Sequence, residues 1–506
     1  MTITLHRRAL SVKRLISVLH AFNQEIYRRT KTITITDHHK EETMKLQTQM
    51  FQELKDKEIF EQARQYAYAY IDEIDEMDVF PSAQSLTNLS AFDEPLPDKP
   101  GSALNVLHQL NHCGGPATIA QTGGRYFGFV NGGALPASLG VKWLADVWDQ
   151  CGGLYLTSPI NAKLESVCEA WLRDIFGLPS GTVAGFVSGT SMANLCGLAA
   201  ARFQLLKNQG WDINEKGLNG APAIRILAHE QVHASVKKTL AMLGFGRKNI
   251  EWIPADEQGR IVVDELPQLD NTCLVLLQAG NVNTGAYDDF DSVCQKANAA
   301  EAWVHVDGAF GLWAAAVNEL KHLTKGYEKA DSWAVDGHKT LNTPYDSGII
   351  LCKHQDALIS ALQASGEYLV FSEQRDPLLY TPELSKRSRA IELWASLKYL
   401  GRAGVDEMIL GFHRRAKQLE QGLAKLGFEI LNEVVFNQVL VRFGDDAQTK
   451  QVIDYVQKSR KAWIGPSSWN GNVVIRISVC SWVTTEEDIN KTLAVFEQAV
   501  EANLRE

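Results

Sequence analysis

The sequence predicts an α/β protein, a mostly parallel sheet with helices on both faces, followed by a smaller C-terminal α+β domain. Two observations carry this. From about Val183, short apolar runs rich in β-branched residues alternate with segments of helical period. Such nearly continuous apolar strands are buried on both faces, as crossover helices require. After Ser385 the alternation gives way to long helical stretches with few strands between them. The 506 residues suggest about three domains, and 45% hydrophobic with 22% charged content suits a chain with a large core.

Residues 1–50 read as a basic N-terminal extension. Met1 to Thr36 carries Arg7, Arg8, Lys13, Arg14, Arg28, Arg29 and Lys31 against the single acid Glu25, a composition like that of a transit peptide. A loose extension is expected, with Met44 marking where the folded protein, or its real start, would lie. Residues 51–100 read as a helical segment and linker. Phe60, Ala63, Ala67, Tyr70, Ile71 and Ile74 recur at helical spacing, which predicts an amphipathic helix over Phe51 to Met77, closed by Pro81. Pro95, Pro97 and Pro100 then mark a linker.

Residues 101–384 are expected to form the large domain. Its loop from Gly123 to Gly133 alternates aromatics with glycines that permit close backbone approach, so it would line a pocket or make a structural turn. Strands are predicted at Val183–Val187, Ala223–Ala228, Cys273–Leu277 and Val304–Val306. The first three precede helices at Met192–Leu206, Ser235–Leu243 and Phe290–Ala300. Residues 385–506 form the small domain, with helices at Arg387–Leu400 and Asp406–Leu426, strands at Gln438–Arg442 and Val473–Ser478, and a last helix from Thr485 to Asn503. That helix would be capped by Thr484 or Thr485 with Glu487 following.

Charge and cysteine usage bound the function. Fifty basic against 60 acidic residues leave a net charge of −10, no footprint for nucleic acid or an anionic membrane. No run of about 18 apolar residues predicts a transmembrane helix. The eight cysteines are scattered without a CxxC pair, like reduced core residues of a cytoplasmic protein.

Ligands of parallel sheets sit at the carboxyl ends of the strands, and four stretches there carry candidate chemistry. Ser188 to Asn194 joins a strand to a helix with small hydroxyl residues, either an anion site for a phosphate or an ordinary N-cap. Gly189 to Ala193 also approximates a G-x-S-x-G nucleophile elbow, with Ala in the last position. His229-Glu230-Gln231-Val232-His233 matches the zinc motif H-E-x-x-H. That motif needs a helix, whereas here it directly follows a strand; His233 would instead leave the strand-end loop and lie flat on a ligand. Asp307 ends a buried strand, where an acid is costly unless a cation such as a pyridinium pairs with it or it caps the local backbone. Lys339, in Asp336-Gly337-His338-Lys339, is a candidate amine nucleophile.

In order and spacing these residues resemble the pyridoxal-phosphate-dependent amino-acid decarboxylases of group II, the aromatic-amino-acid, glutamate and cysteine-sulfinate decarboxylases, from about Phe51 to the end of the chain. The resemblance implies pyridoxal-phosphate fold type I, like aspartate aminotransferase, and decarboxylation of an L-amino acid to its amine and CO2 through a Schiff base on Lys339. By the family pattern Thr190 and Ser191 take the phosphate, His233 stacks on the ring, Asp307 meets the pyridinium nitrogen, Ala309 packs against the ring, and His338 and Lys339 are the cofactor-binding pair. Asn281 falls where the family usually has a threonine near the cofactor. Ser385 to Ala390 looks like the basic stretch that opens the small domain. Tyr368 falls where these enzymes carry the tyrosine thought to protonate the α-carbon, which favours simple decarboxylation over aldehyde formation.

For the substrate, Tyr126, Phe127 and Phe129 would suit an aromatic side chain, and Arg125 or Arg476 an acidic one. The resemblance further implies a homodimer with active sites at its interface. No metal is expected. The alternatives are another fold type I pyridoxal-phosphate enzyme, an aminotransferase or aldehyde-forming lyase, and a zinc hydrolase using His229, Glu230 and His233.

Overall fold

Seven strands make one sheet. They are β1 (Val183–Val187), β2 (Arg225–His229), β3 (Ile250–Ile253), β4 (Cys273–Gln278), β5 (Trp303–Asp307), β6 (Ser332–Asp336) and β7 (Gly348–Cys352), in the order β1-β7-β6-β5-β4-β2-β3. The computed structural model describes residues 37–363 and 371–503. β6, β5, β4, β2 and β3 pair in parallel, while β7 runs antiparallel to both β1 and β6. Six strands therefore share one direction, and their carboxyl ends lie along one edge.

Side-chain alternation explains the continuous apolar runs. In β4, Leu274 and Leu276 point into one apolar cluster and Val275 and Leu277 into another, and both faces of the sheet are covered. The helix Thr190–Asn208 covers one face through Leu198, Ala199, Leu205 and Leu206. The helix Phe290–Ala299 contributes Phe290, Val293 and Ala297 to the cluster on the other.

The second sheet is antiparallel throughout: β8 (Glu429–Ile430), β9 (Gln438–Arg442), β10 (Gly465–Trp469) and β11 (Asn472–Ser478), in the order β10-β11-β9-β8. The two helices predicted after Ser385 form one run, Ala390–Lys425, interrupted at Gly401, whose positive φ of 58° breaks the helical path. The last helix spans Glu486–Asn503. Its cap pairs Thr485 with Asp488, not Glu487: the Asp488 N–H donates to Thr485 Oγ1 at 3.2 Å, and Asp488 Oδ2 accepts from the Thr485 N–H at 2.9 Å.

Contacts divide the chain into two units, one of residues up to 72 with 83–117, the other of 73–82 with 118–506. The change of sheet near residue 385 thus lies inside the second unit. In the first, the helix expected over Phe51 to Met77 is two helices, Asp37–Asp56 and Glu58–Glu73, separated at Lys57, whose φ is +60°. Residues 93–101 form no helix or strand, as their prolines predict. The basic extension lies outside the described residues up to residue 36, and its remainder is helical.

Candidate active site

A cavity of about 360 Å³ opens at the common edge where the parallel strands end. Five strands deliver linings of their own: Ser188 to Met192 after β1, His233 after β2, Gln278 and Gly280 at the end of β4, Asp307 and Ala309 from β5, and Asp336, His338 and Lys339 from β6. With Val130 also on the lining, the fold gathers residues as much as 209 positions apart, Val130 and Lys339 being the extremes.

Two buried carboxylates meet this space. Asp307 Oδ2 accepts a hydrogen bond from Asn194 Nδ2 at 3.1 Å, and its Oδ1 accepts from the Ala309 N–H at 3.2 Å. Both donors are neutral amides, so the carboxylate still lacks a cation. Asp336 already has one. Lys339 Nζ stands 3.0 Å from its Oδ2, the Thr190 N–H donates to its Oδ1 at 2.7 Å, and His338 Nε2 lies 3.5 Å away. Sequence reading passed over Asp336 as a site residue, although it carries the same signal as Asp307, an acid closing an apolar strand.

The histidines are fixed by neighbours. His233 is the N-cap of the helix Ala234–Met242, and its Nδ1 accepts from the Ser235 N–H at 3.2 Å. The protein packed round the ring lowers its pKa, and the Asp307 carboxylate works against that shift. His338 Nδ1 accepts from the Ser347 N–H at 3.1 Å, its ring stacks on Tyr345 at 4.4 Å, and burial lowers its pKa.

The residues present fit pyridoxal phosphate. Thr190 Oγ1 is buried at the helix start without a hydrogen-bond partner among the described residues, beside Ser191, which suits a phosphate at a helix N-terminus. Asp307 can take a protonated ring nitrogen, and Lys339 offers the amine. Of the residues expected around the cofactor, Thr190, Ser191, His233, Asp307, Ala309, His338 and Lys339 all line the cavity.

Others do not. Asn281 is 1% exposed, but its Oδ1 accepts from the N–H groups of Asn283 and Thr284 at 2.9 and 3.2 Å, so its amide closes a turn while Gly280 and Val282 face the cavity. Phe127 is a core residue at 1% exposure, and Phe129 is 67% exposed; neither lines the cavity. Arg125 is spent on the main chain, donating to the carbonyls of Asp75, Met77 and Lys461. Arg476 differs: its Nη1 donates to the carbonyl of cavity-lining Val282 at 3.3 Å, while its Nε is buried without a partner among the described residues. Tyr368 lies outside the described residues.

The zinc reading fails on geometry. His229 is the fully buried last residue of β2, its Nε2 3.8 Å from Asp288 Oδ2, and residues 230–232 are a turn rather than a helix. Among the described residues no group of three His, Cys, Asp or Glu side chains is placed to hold a metal. Ser191 sits in the first turn of its helix, with no histidine hydrogen-bonded to it among the described residues, so the nucleophile-elbow reading lacks a base.

The pyridoxal-dependent decarboxylase conserved domain matches residues 87–443. The aromatic-L-amino-acid decarboxylase of Bacillus atrophaeus is 28% identical over 79% of this chain and 84% of its own length. The phenylacetaldehyde synthase of Arabidopsis thaliana is 23% identical over 87% of this chain and 96% of its own. In fold, a structure of Oryza sativa TDC with PLP and tryptamine superposes with a TM-score of 0.82 at 21% identity, covering 89% of this chain and 98% of that one.

Proposed function

Because the chain belongs to the pyridoxal-dependent decarboxylase family, with the fold type I architecture and the pyridoxal phosphate cofactor of that family, we propose that it converts an L-amino acid to its amine and CO2 with Lys339 as the amine that bonds the cofactor. The observation that carries this is the placement of Lys339 and Asp307 in one cavity, fed by separate strand ends.

The cofactor supplies an electron sink for the bond pair left behind as CO2 departs. The chain's residues do the rest. Thr190 and Ser191 would hold the phosphate at the helix N-terminus, Asp307 would hold a proton at the ring nitrogen, and His233 would cover the ring. Exclusion of water by these walls strengthens each electrostatic contact. Tyr368 delivers the proton to the α-carbon, a role supported by its position in the sequence and by the family resemblance. Lys339, with its Nζ 3.0 Å from Asp336 Oδ2, would be the amine that holds the cofactor.

Aromatic L-amino acids lead the substrate proposal, since the Bacillus relative is named for them. The Nε of Arg476, buried without a partner among the described residues, favours an acidic side chain as the second reading. We further propose a homodimer, supported by the helix Pro136–Trp148, which leaves Trp143, Leu144, Val147 and Trp148 exposed. The proposal places the protein in the cytoplasm, supported by eight cysteines that are all unpaired.

A panel of L-amino acids assayed for CO2 together with amine or aldehyde tests the reaction. CO2 with a matching yield of amine is expected, and Lys339→Ala should lose both the yellow colour and the activity. Aldehyde as the main product would overturn simple decarboxylation, and a Lys339→Ala protein that stays yellow and active would overturn the lysine assignment.

A further inference from the structure

Behind Asp307 lies a line of buried polar groups that the reaction as described does not use. Trp303, His305 and Asp307 alternate with Val304 and Val306 along β5, so all three project from one face. The helix Thr190–Asn208 brings Asn194 onto that face, and β6 brings Ser332, which pairs in register with His305. Their separations are short: Asn194 Nδ2 to Asp307 Oδ2 3.1 Å, His305 Nε2 to Asn194 Oδ1 2.9 Å, His305 Nδ1 to Ser332 Oγ 2.8 Å and Trp303 Nε1 to Ser332 Oγ 3.0 Å. Asn194, His305, Ser332 and Trp303 are at most 4% exposed.

The chemistry of the groups fixes the direction of every link. An Asp307 carboxylate only accepts, so Asn194 turns its amide nitrogen toward it and its oxygen toward His305. That oxygen accepts, so His305 carries its proton on Nε2. Burial pushes the His305 pKa down to about 3, which leaves the ring neutral and Nδ1 bare. Ser332 then donates to Nδ1 and accepts from the indole N–H of Trp303, which can only donate. All four bonds run one way, toward Asp307, and bonds so aligned polarise one another. The fold makes room for the ring: a Cβ on Gly197, one turn beyond Asn194, would come within 2.7 Å of His305 Cε1.

We infer that Asn194, His305 and Ser332 form a one-way hydrogen-bond relay that aims the Asp307 carboxylate at the cofactor's ring nitrogen, and that they are positioning residues for that contact. The inference rests on the decarboxylase reading for its purpose, but not for its geometry. A core histidine kept only to fill space would not need an ordered donor on one side, Ser332, and an ordered acceptor on the other, Asn194. The relay also sets Asn194 as the one amide that both touches Asp307 and reports the state of His305.

Nitrogen-15 NMR of the cofactor-free protein, with the signal assigned by its loss in His305→Gln, reads the tautomer directly. A neutral ring protonated on Nε2 is expected, and Ser332→Ala should erode that preference. In the same variant, cofactor affinity and kcat should each fall by roughly tenfold, the worth of about one buried hydrogen bond, while KM for the amino acid stays within about twofold because no relay residue touches the substrate. Asn194→Ala should lose more of both. A proton on Nδ1 in the wild-type protein, or a Ser332→Ala protein with unchanged tautomer, cofactor affinity and kcat, would overturn the relay. Should Asn194→Ala fail to fold, the Ser332→Ala comparison still decides. If the wild-type protein bound no cofactor, the functional reading would fail while the tautomer measurement still judged the relay.

Discussion

His305 links the site to the stability of the whole chain. Its folded pKa lies near about 3 because burial disfavours the charged ring, whereas an unfolded histidine titrates near about 6.5. Below about pH 6.5 the unfolded chain takes up a proton that the folded chain refuses. The stabilisation from this residue is therefore complete above that pH and is lost as pH falls toward 3, at about 1.4 kcal/mol per unit. Urea denaturation from pH 7 down to pH 5 should show stability falling, and His305→Gln should flatten the slope by one proton's worth. An unchanged slope would mean that another group dominates. At the same scale, Asp307 and Asp336 show how partners divide labour between like residues. Asp336 has its cation in Lys339, while Asp307 is held by amides alone and stays free to take one from a ligand.

Among the elements, the loop from Gly123 to Gly133 does what its glycines allow. Gly132 donates its N–H to the His338 carbonyl at 3.3 Å, and a Cβ there would fall 2.1 Å from the Lys339 carbonyl oxygen. No L side chain fits without moving the backbone that carries Lys339. Gly132→Ala should therefore cost about 1–3 kcal/mol as overpacking does, with CO2 release falling further than stability. Denaturation and activity measured on the same preparation check this; full activity would mean that the loop yields freely. The aromatics of this loop turned out otherwise, since Phe127 packs into the core and only Val130 faces the cavity.

For the molecule as a whole, the exposed side chains of the helix Pro136–Trp148 lead to a measurable size. Trp143, Leu144, Val147 and Trp148 are between 37% and 77% exposed on one chain, a patch that a second copy would cover. Sedimentation should give twice the mass of the chain at micromolar concentration. Trp148→Asp with Val147→Asp should shift it toward the monomer by burying charge without a partner. A wild-type monomer would remove the dimer from the proposal.

The sequence by itself determined the fold class and which strand-end residues share the cavity. β1 and β9 fall where the apolar runs predict them, and Thr190, Ser191, His233, Asp307, Ala309, His338 and Lys339 all reach the cavity. The reason is local: each lies at or just past the end of a strand, and parallel strands carry their ends to the same edge. Tertiary structure alone decided the rest. The antiparallel insertion of β7 between β1 and β6 depends on pairing over long separations, which no local pattern records. Whether Asn281 and Arg125 serve a ligand or their own backbone depended on which acceptors and donors folding brought within 3.2 Å. Asn194, an unmarked helical residue in the sequence, became the neighbour of Asp307 only because a helix crosses one face of the sheet at that point.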